Sequence, residues 1–305
     1  MAYDFFRTTD DLSIRYGEWL CRAETGRGSI VLLNGRTEFM EKYAETIEAL
    51  RQRGFDVFSL DWRGQGLSDR MLPNRQKGFV ADFKDYVADL KRFMGHIVKP
   101  RAPRPIIMLA HSMGAHIGIR YLHDDPDLFS KAVFSSPLID LPSPWFLRQL
   151  LKVVSIGAVK AGKGGTYAIG SKDYRPDGEW FENNPYTSDK KRFDETRGKV
   201  LKNTKLASGG VTFRWISAMF DSIKTIHASG YAEVIKTPVL FIAAGDDKVV
   251  SIRAQEIFSR RLSHGAYVEI DHSRHEILME SDGYRSIFWD HFDHFVDREK
   301  SRTAG

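Results

Sequence analysis

The chain has 305 residues but only one cysteine, Cys21. No disulfide can close within it, so neither a disulfide-stapled scaffold nor a paired-cysteine zinc site is available. It also has no H-E-x-x-H spacing, and no metal or organic cofactor is expected. No apolar run approaches the roughly 20 residues that cross a bilayer. The opening Met1-Ala2-Tyr3-Asp4-Phe5-Phe6-Arg7 has no basic region leading into an apolar stretch, so no secretory leader is expected. Blocks of like charge are missing too. The net charge of +5 is interspersed along the chain, which reads as a solvated surface rather than a nucleic-acid footprint. Together these absences point to a cytoplasmic protein, with basic patches able to bring it transiently to the inner face of an anionic membrane.

What is present is alternation. Tyr3–Arg7 and Leu12–Leu20 read as strands around the Asp10-Asp11 turn, and Ser29–Leu33 as a buried strand ending at Asn34-Gly35. Phe39, Tyr43, Ile47 and Leu50 recur at helical spacing, which predicts a helix over Glu38–Arg53 closed by Gly54. Phe55–Leu60 follows as a strand, then a second amphipathic helix over Phe79–Val98, ended by Pro100–Pro105. Strands are predicted at Ile106–Leu109, Ala132–Phe134, Pro238–Ile242 and Ala266–Ile270. Helices are predicted at Ala115–His123, Ile252–Leu262 and Tyr284–Val296. The pattern implies an α/β fold, a mostly parallel central sheet with helices on both faces. Between Leu138 and about Ile235 the alternation breaks, so residues 138–235 are expected to form a mainly helical cap inserted into a core made of 1–137 and 236–305. The charged tail after Asp297 is expected to fray.

Ala110-His111-Ser112-Met113-Gly114 sits between an apolar strand and a helix. Strand, small-x-Ser-x-Gly turn and helix make a nucleophile elbow, which holds a serine hydroxyl clear of a sheet edge. A serine needs a base, and the base needs an orienting acid. In an open parallel sheet these belong in loops after the carboxyl ends of strands. Asp246 and Asp247 follow one such strand, and His272 and His275 follow another. The order Ser, Asp, His is that of α/β-hydrolases.

Val31-Leu32-Leu33-Asn34-Gly35-Arg36-Thr37-Glu38 resembles the His-Gly-x-x-Glu loop of the monoacylglycerol lipase and lysophospholipase L2-like α/β-hydrolases, which belong with the serine aminopeptidase S33-type hydrolases. Asn34 stands where that group carries His. Asp61-Trp62-Arg63-Gly64-Gln65-Gly66-Leu67-Ser68 resembles its Asp-x-Arg-Gly-x-Gly-x-Ser loop, and Asn184-Pro185-Tyr186-Thr187-Ser188-Asp189 is also similar. The likeness spans nearly the whole chain. It implies Ser112 as nucleophile, Asp247 rather than Asp246 as the acid, and His275 rather than His272 as the base. It further implies an oxyanion hole from the backbone N–H groups of Arg36 and Met113. The implied activity is serine-dependent cleavage of carboxylic esters, with a lysophospholipid or monoacylglycerol as substrate. An amidase or aminopeptidase is the alternative reading, and a non-catalytic binding protein on the same fold a further one.

Other features invite plainer readings. His111 and His116 are expected to pack away from the site, and Ser135 and Ser136 to line a pocket or cap a turn. Glu38 and Arg63 are expected to hold loops together. Gly157–Gly164 imitates a phosphate loop, but Gly164 replaces its Ser/Thr, so nucleotide binding is not expected. The apolar residues of 138–235 are expected mostly to pack the insertion onto the core and to leave a pocket lined by apolar and aromatic groups, which favours an acyl chain. Arg148, Lys152, Lys160 and Lys163 are candidates to meet a headgroup.

Overall fold

The computed structural model describes residues 2–21, 26–175 and 181–297; the tail expected to fray after Asp297 lies outside them. Among the described residues, eight strands form one sheet in the order β1-β2-β4-β3-β5-β6-β7-β8. They are β1 (Ala2–Arg7), β2 (Ser13–Trp19), β3 (Gly28–Leu33), β4 (Phe55–Leu60), β5 (Ile106–His111), β6 (Lys131–Ser135), β7 (Val239–Ala244) and β8 (Gly265–Ile270). Only the β1–β2 and β2–β4 pairings are antiparallel; the other five are parallel. β3, β4, β5 and β7 are buried along their whole length. This is why they read as continuous apolar runs rather than alternating ones.

Helices cover both faces. They are α1 (Ala44–Gln52), α2 (Phe83–Phe93), α3 (Lys99–Arg101), α4 (Met113–Asp124), α5 (Trp145–Lys160), α6 (Lys190–Lys202), α7 (Phe213–Ile226), α8 (Ile252–Arg261) and α9 (Asp282–Asp297). α5, α6 and α7 all fall between β6 and β7. One core cluster packs α2, α4 and α7 against one sheet face, and a second packs α1 and α9 against the other.

Two predicted helices differ from the structure for local reasons. α2 starts at Phe83, not Phe79, because the Asp82 carboxylate accepts from the Lys84 N–H at 2.8 Å and the Asp85 side chain accepts in return from the Asp82 N–H. That reciprocal cap fixes the entry. Gly78 just upstream pairs instead with Val211. The helix also outlasts Val98. A π-turn at Met94–Val98 leads into Lys99–Arg101, which accommodates Pro100. Before α1, Met40–Tyr43 forms a tight 3₁₀ turn, which leaves Glu38 in the preceding loop.

The phosphate-loop imitation is a helix end. Gly157 lies within α5, and Gly162 takes a positive φ of 74° just after it. No strand precedes it to aim its amides at a phosphate.

Candidate active site

Four loops leave the carboxyl ends of parallel strands at one edge of the sheet: after β3 (Arg36), β5 (Ser112), β7 (Asp247) and β8 (His275). The register keeps these ends level, with Leu33 opposite Ala110 and Ala244 opposite Ile270. The structure thereby brings Ser112 to His275, 163 positions further along the chain.

Ser112 adopts φ 51° and ψ −115°, a strained turn between β5 and α4. Close passage of strand and helix demands the glycine after it. A Cβ on Gly114 would lie 2.5 Å from the Asn34 carbonyl oxygen and 2.6 Å from that of Leu33. The hydroxyl of Ser112 lies 3.0 Å from His275 Nε2, and His275 Nδ1 lies 2.7 Å from Asp247 Oδ2. With Nδ1–H donating to the carboxylate, Nε2 is left as the acceptor for the serine proton. The other carboxylate oxygen, Asp247 Oδ1, accepts the backbone N–H groups of Val249 and Val250 at 2.8 and 3.0 Å. All three residues are buried. Asp246 and His272 form a separate pair 3.8 Å apart on the surface, with side chains 58% and 82% exposed.

The backbone N–H groups of Arg36 and Met113 have no acceptor among the described residues, and both residues line the cavity over Ser112. Met113 opens α4, whose N-terminal end adds positive potential there. The loop carrying Arg36 is braced from below. Asn34 Nδ2 donates to the Leu60 carbonyl, Trp62 Nε1 to the Asn34 carbonyl and Gln65 Nε2 to the Gly35 carbonyl, at 2.8, 2.8 and 2.9 Å. In the neighbouring loop, Arg63 grips Asp89 through two 2.6 Å bonds and reaches Asp10.

Three residues that the sequence did not single out surround His275. Lys42 Nζ bonds Glu38 Oε1 at 2.7 Å and Glu276 Oε1 at 2.6 Å. Glu38 also accepts from Tyr43 Oη at 2.7 Å and from the Gly35 N–H. Burial alone would raise the Glu38 pKa, but Lys42 and His111 beside it bring it down to about 2. Burial likewise opposes the charge on Lys42, and Glu276 and Glu38 more than restore it. Glu38, His111 and Glu276 present ligand atoms within 4.8 Å of one another, and the Lys42 ammonium supplies the positive charge there. Tyr186 is the third: its carbonyl accepts from the Glu276 N–H at 2.8 Å. Arg274, next to the histidine, donates to the Asn184 and Thr187 carbonyls at 3.1 Å. The Asn184–Asp189 piece thus clamps the histidine loop.

His111 does not point away from the site as expected. It is the last residue of β5, so its ring reaches the cavity, 4.8 Å from that of His275, while its Nδ1 bonds the Ser135 carbonyl. Ser135 and Ser136 are buried at a strand end and do not line the cavity.

His116 faces the other way. Its Nδ1–H donates to the Leu138 carbonyl at 2.8 Å, and its Nε2 accepts from Ser222 Oγ at 2.6 Å. Burial pushes its pKa from 6.5 down to about 4. A histidine with a depressed folded pKa contributes its full stability above its unfolded pKa, and loses it as pH falls toward the folded one. The wild type therefore takes up one extra proton on unfolding between pH 6.5 and 4. Stability from urea titrations is expected to fall more steeply with acid than in His116→Gln, by about 1.4 kcal/mol per pH unit. Parallel slopes in the two proteins would remove His116 from this role.

A cavity of about 230 Å³ opens over Ser112, lined by Leu138, Leu141, Leu151, Val211, Trp215 and Met219 together with the loop residues above. Residues 138–235 thus supply most of the apolar wall, and Met113, Val249 and Val250 the rest.

The model of a family described as Serine aminopeptidase, S33, matches residues 24–282. Lysophospholipase L2 of Escherichia coli (strain K12) is 31% identical over 314 residues, covering 98% of this chain and 88% of that protein. Probable lysophospholipase L2 of Haemophilus influenzae is 30% identical over 271 residues, 89% of this chain and 84% of its own. Among solved structures, a soluble variant of monoglyceride lipase from Saccharomyces cerevisiae in complex with a substrate analog superimposes with a TM-score of 0.77. It is 21% identical and covers 97% of this chain and 94% of that one, a likeness of fold.

Proposed function

The chain belongs to the serine aminopeptidase S33 family of hydrolases, and from that premise we propose that it is a carboxylic ester hydrolase acting on monoacyl lipids, lysophospholipid or monoacylglycerol. The observation that carries this reading is the buried relay from Ser112 through His275 to Asp247, beneath an apolar cavity. Ser112 Oγ attacks the ester carbonyl carbon as its proton passes to His275 Nε2. Asp247 holds the Nδ1–H and balances the imidazolium. The carbonyl oxygen, now negative, faces the N–H groups of Arg36 and Met113, each such donor being worth about 3 kcal/mol of barrier. Collapse breaks the bond to the alcohol oxygen, which takes the proton from His275. Water, activated by the same histidine, then releases the fatty acid.

Residues 138–235 act as the cap that closes this site. An aminopeptidase would need a free carboxylate to hold a substrate ammonium. The two glutamates lining the cavity, Glu38 and Glu276, are both already engaged by Lys42, which favours the ester reading.

No helix of the described residues is long and apolar enough to cross a membrane. α5, however, leaves Trp145 69%, Phe146 56%, Leu150 60% and Val153 65% exposed. The packing expected of these residues is incomplete because α5 is apolar on more faces than its neighbours cover. Leu151, on the same helix, lines the cavity. We therefore place this face against the lipid surface that holds the substrate, with the protein itself in the reducing cytoplasm that suits a single cysteine.

The test is hydrolysis of a monoacylglycerol, a lysophosphatidylethanolamine and an aminoacyl anilide by the wild type. Turnover of the lipids and not of the anilide is the expected result, and the opposite pattern would sink the reading. In Trp145→Ser/Leu150→Ser, the rate on vesicle-borne substrate is expected to fall at least tenfold further than the rate on the same substrate in detergent micelles. Equal losses in the two formats would remove the membrane contact.

A further inference from the structure

A second cavity, of about 420 Å³, adjoins the first. Arg36, Thr37, Tyr186 and Glu276 line both. Its size is that of a small-ligand site, and although part of its wall is apolar it carries more charge than its neighbour. Six arginine and lysine residues line it against two carboxylates, Asp173 and Glu276.

Four of these eight charges are accounted for, and Lys172 and Arg175 are exposed to solvent. Lys42 is held between Glu38 and Glu276. Arg192 is held by Glu45, Asp189 and Asp282. Asp173 accepts from Asn74 and Tyr167. The two remaining arginines, both partly buried, have no such partner. Arg36 has no carboxylate within ion-pair distance among the described residues; its guanidinium donates to the Gly209 carbonyl at 3.2 Å and lies 5.8 Å from the Trp215 ring centre. Burial lowers its pKa, with only Tyr186 and Tyr86 acting against this. Arg197, on α6, makes no ion pair among the described residues, and its buried Nε has no hydrogen-bond partner. Ser208 Oγ, in the same lining, is also buried without a partner.

Buried charges are normally paired, and buried polar groups bonded. Two unneutralised guanidinium groups and an unused hydroxyl in one cavity form a set of donors awaiting an anion. A guanidinium fork matches a phosphoryl group in particular.

We propose that this second cavity binds the phosphoryl headgroup of a lysophospholipid through Arg36, Arg197 and Ser208. The assignment rests on the lipid-ester reading above and narrows it. The acyl chain occupies the apolar cavity, the ester carbonyl lies at Ser112, and the glycerophosphoryl part extends past Arg36 into the cationic one. Arg36 thus serves both halves of the substrate, its backbone facing the oxyanion and its side chain the headgroup. Arg148, Lys152, Lys160 and Lys163, which the sequence offers as headgroup candidates though solvation is their favoured role, do not line this cavity, and Arg148 is engaged by Asp140.

The experiment compares kcat/KM for a lysophosphatidylethanolamine and a monoacylglycerol of the same acyl chain. In Arg197→Gln and Arg36→Gln, the ratio of the first to the second is expected to fall at least tenfold. A ratio that stays constant while both rates fall together assigns these arginines to structure alone and overturns the proposal. Calorimetric titration of Ser112→Ala with sn-glycero-3-phosphate, against glycerol, reads the cavity without turnover. Phosphate-dependent binding, weakened tenfold or more by adding Arg197→Gln, supports the site; equal or absent binding of both compounds overturns it. A wild type that hydrolyses neither lipid defeats the lipid-ester reading instead, and the titration still decides whether the cavity is an anion site.

Discussion

Ser112→Ala is expected to lose four to six orders of magnitude in kcat on any ester, a range set by removal of triad nucleophiles in other serine hydrolases. The variant should also lose labelling by a fluorophosphonate probe. Only substrate binding and the two backbone donors remain to it. Asp247→Asn is expected to fall by about four orders of magnitude, because an amide at that position no longer enforces the His275 tautomer that leaves Nε2 free. Asp246→Asn supplies the internal comparison. Its side chain is 58% exposed and lies 3.8 Å from a still more exposed His272, so its activity is expected to stay within a factor of two or so of wild type. Initial rates on a p-nitrophenyl ester measure all three. Should Asp246→Asn and Asp247→Asn exchange these effects, the proposed acid is the wrong one.

The second large effect is on stability. Lys42→Met leaves Glu38 and Glu276 facing each other without the ammonium that joins them at 2.7 and 2.6 Å. Removing one member of a buried charge cluster costs about 3–5 kcal/mol, and that loss is expected from urea unfolding at pH 7. In the wild type, Glu38 has a folded pKa depressed from 4.5 to about 2, so its stabilisation is present above pH 4.5 and is lost as pH falls toward 2. Without Lys42 that depression disappears, and acid relieves the repulsion instead. The deficit of Lys42→Met is therefore expected to shrink below pH 5. Adding Glu276→Gln should recover part of it at pH 7, because one buried carboxylate replaces two. A deficit independent of both acid and Glu276→Gln would mean that Lys42 acts through packing alone. The cluster also has a place in the chemistry. It ties the Arg36 loop, through Glu38, to the neighbour of His275, so one lysine positions the loop of one proposed oxyanion donor and that of the proposed base.

Much of the framework was legible in the sequence. Buried parallel strands need apolar residues on both faces, so β3, β4, β5 and β7 stood out as short apolar runs. Ser112 was legible because the elbow is a local structure: small residues flank the serine, and Gly114 meets backbone carbonyls that no side chain could share. The choice within Asp246-Asp247 and between His272 and His275 had no local signal and came from family resemblance. In the structure those side chains part because the backbone turns between them. Asp247 is drawn inward by the Val249 and Val250 N–H groups, and His272, at φ 61°, is turned out.

Other features were invisible along the chain. Glu38 was expected to hold loops together, but nothing along the chain marks Lys42 as its partner or shows that Glu276 arrives from a distant loop to complete the cluster. The apolar residues of α5 look like core, yet neighbouring elements cover only part of the helix.

The sequence by itself determined the conformations set by near neighbours: the strands, the caps, the elbow and the family pattern. Tertiary structure alone decided which charges are neutralised and which are not. Lys42 finds two carboxylates, while Arg36 and Arg197 find none among the described residues. The reason is physical: pairing and desolvation depend on distances of a few ångströms between groups far apart in the chain. Those distances exist only once the sheet has brought its loops to one edge.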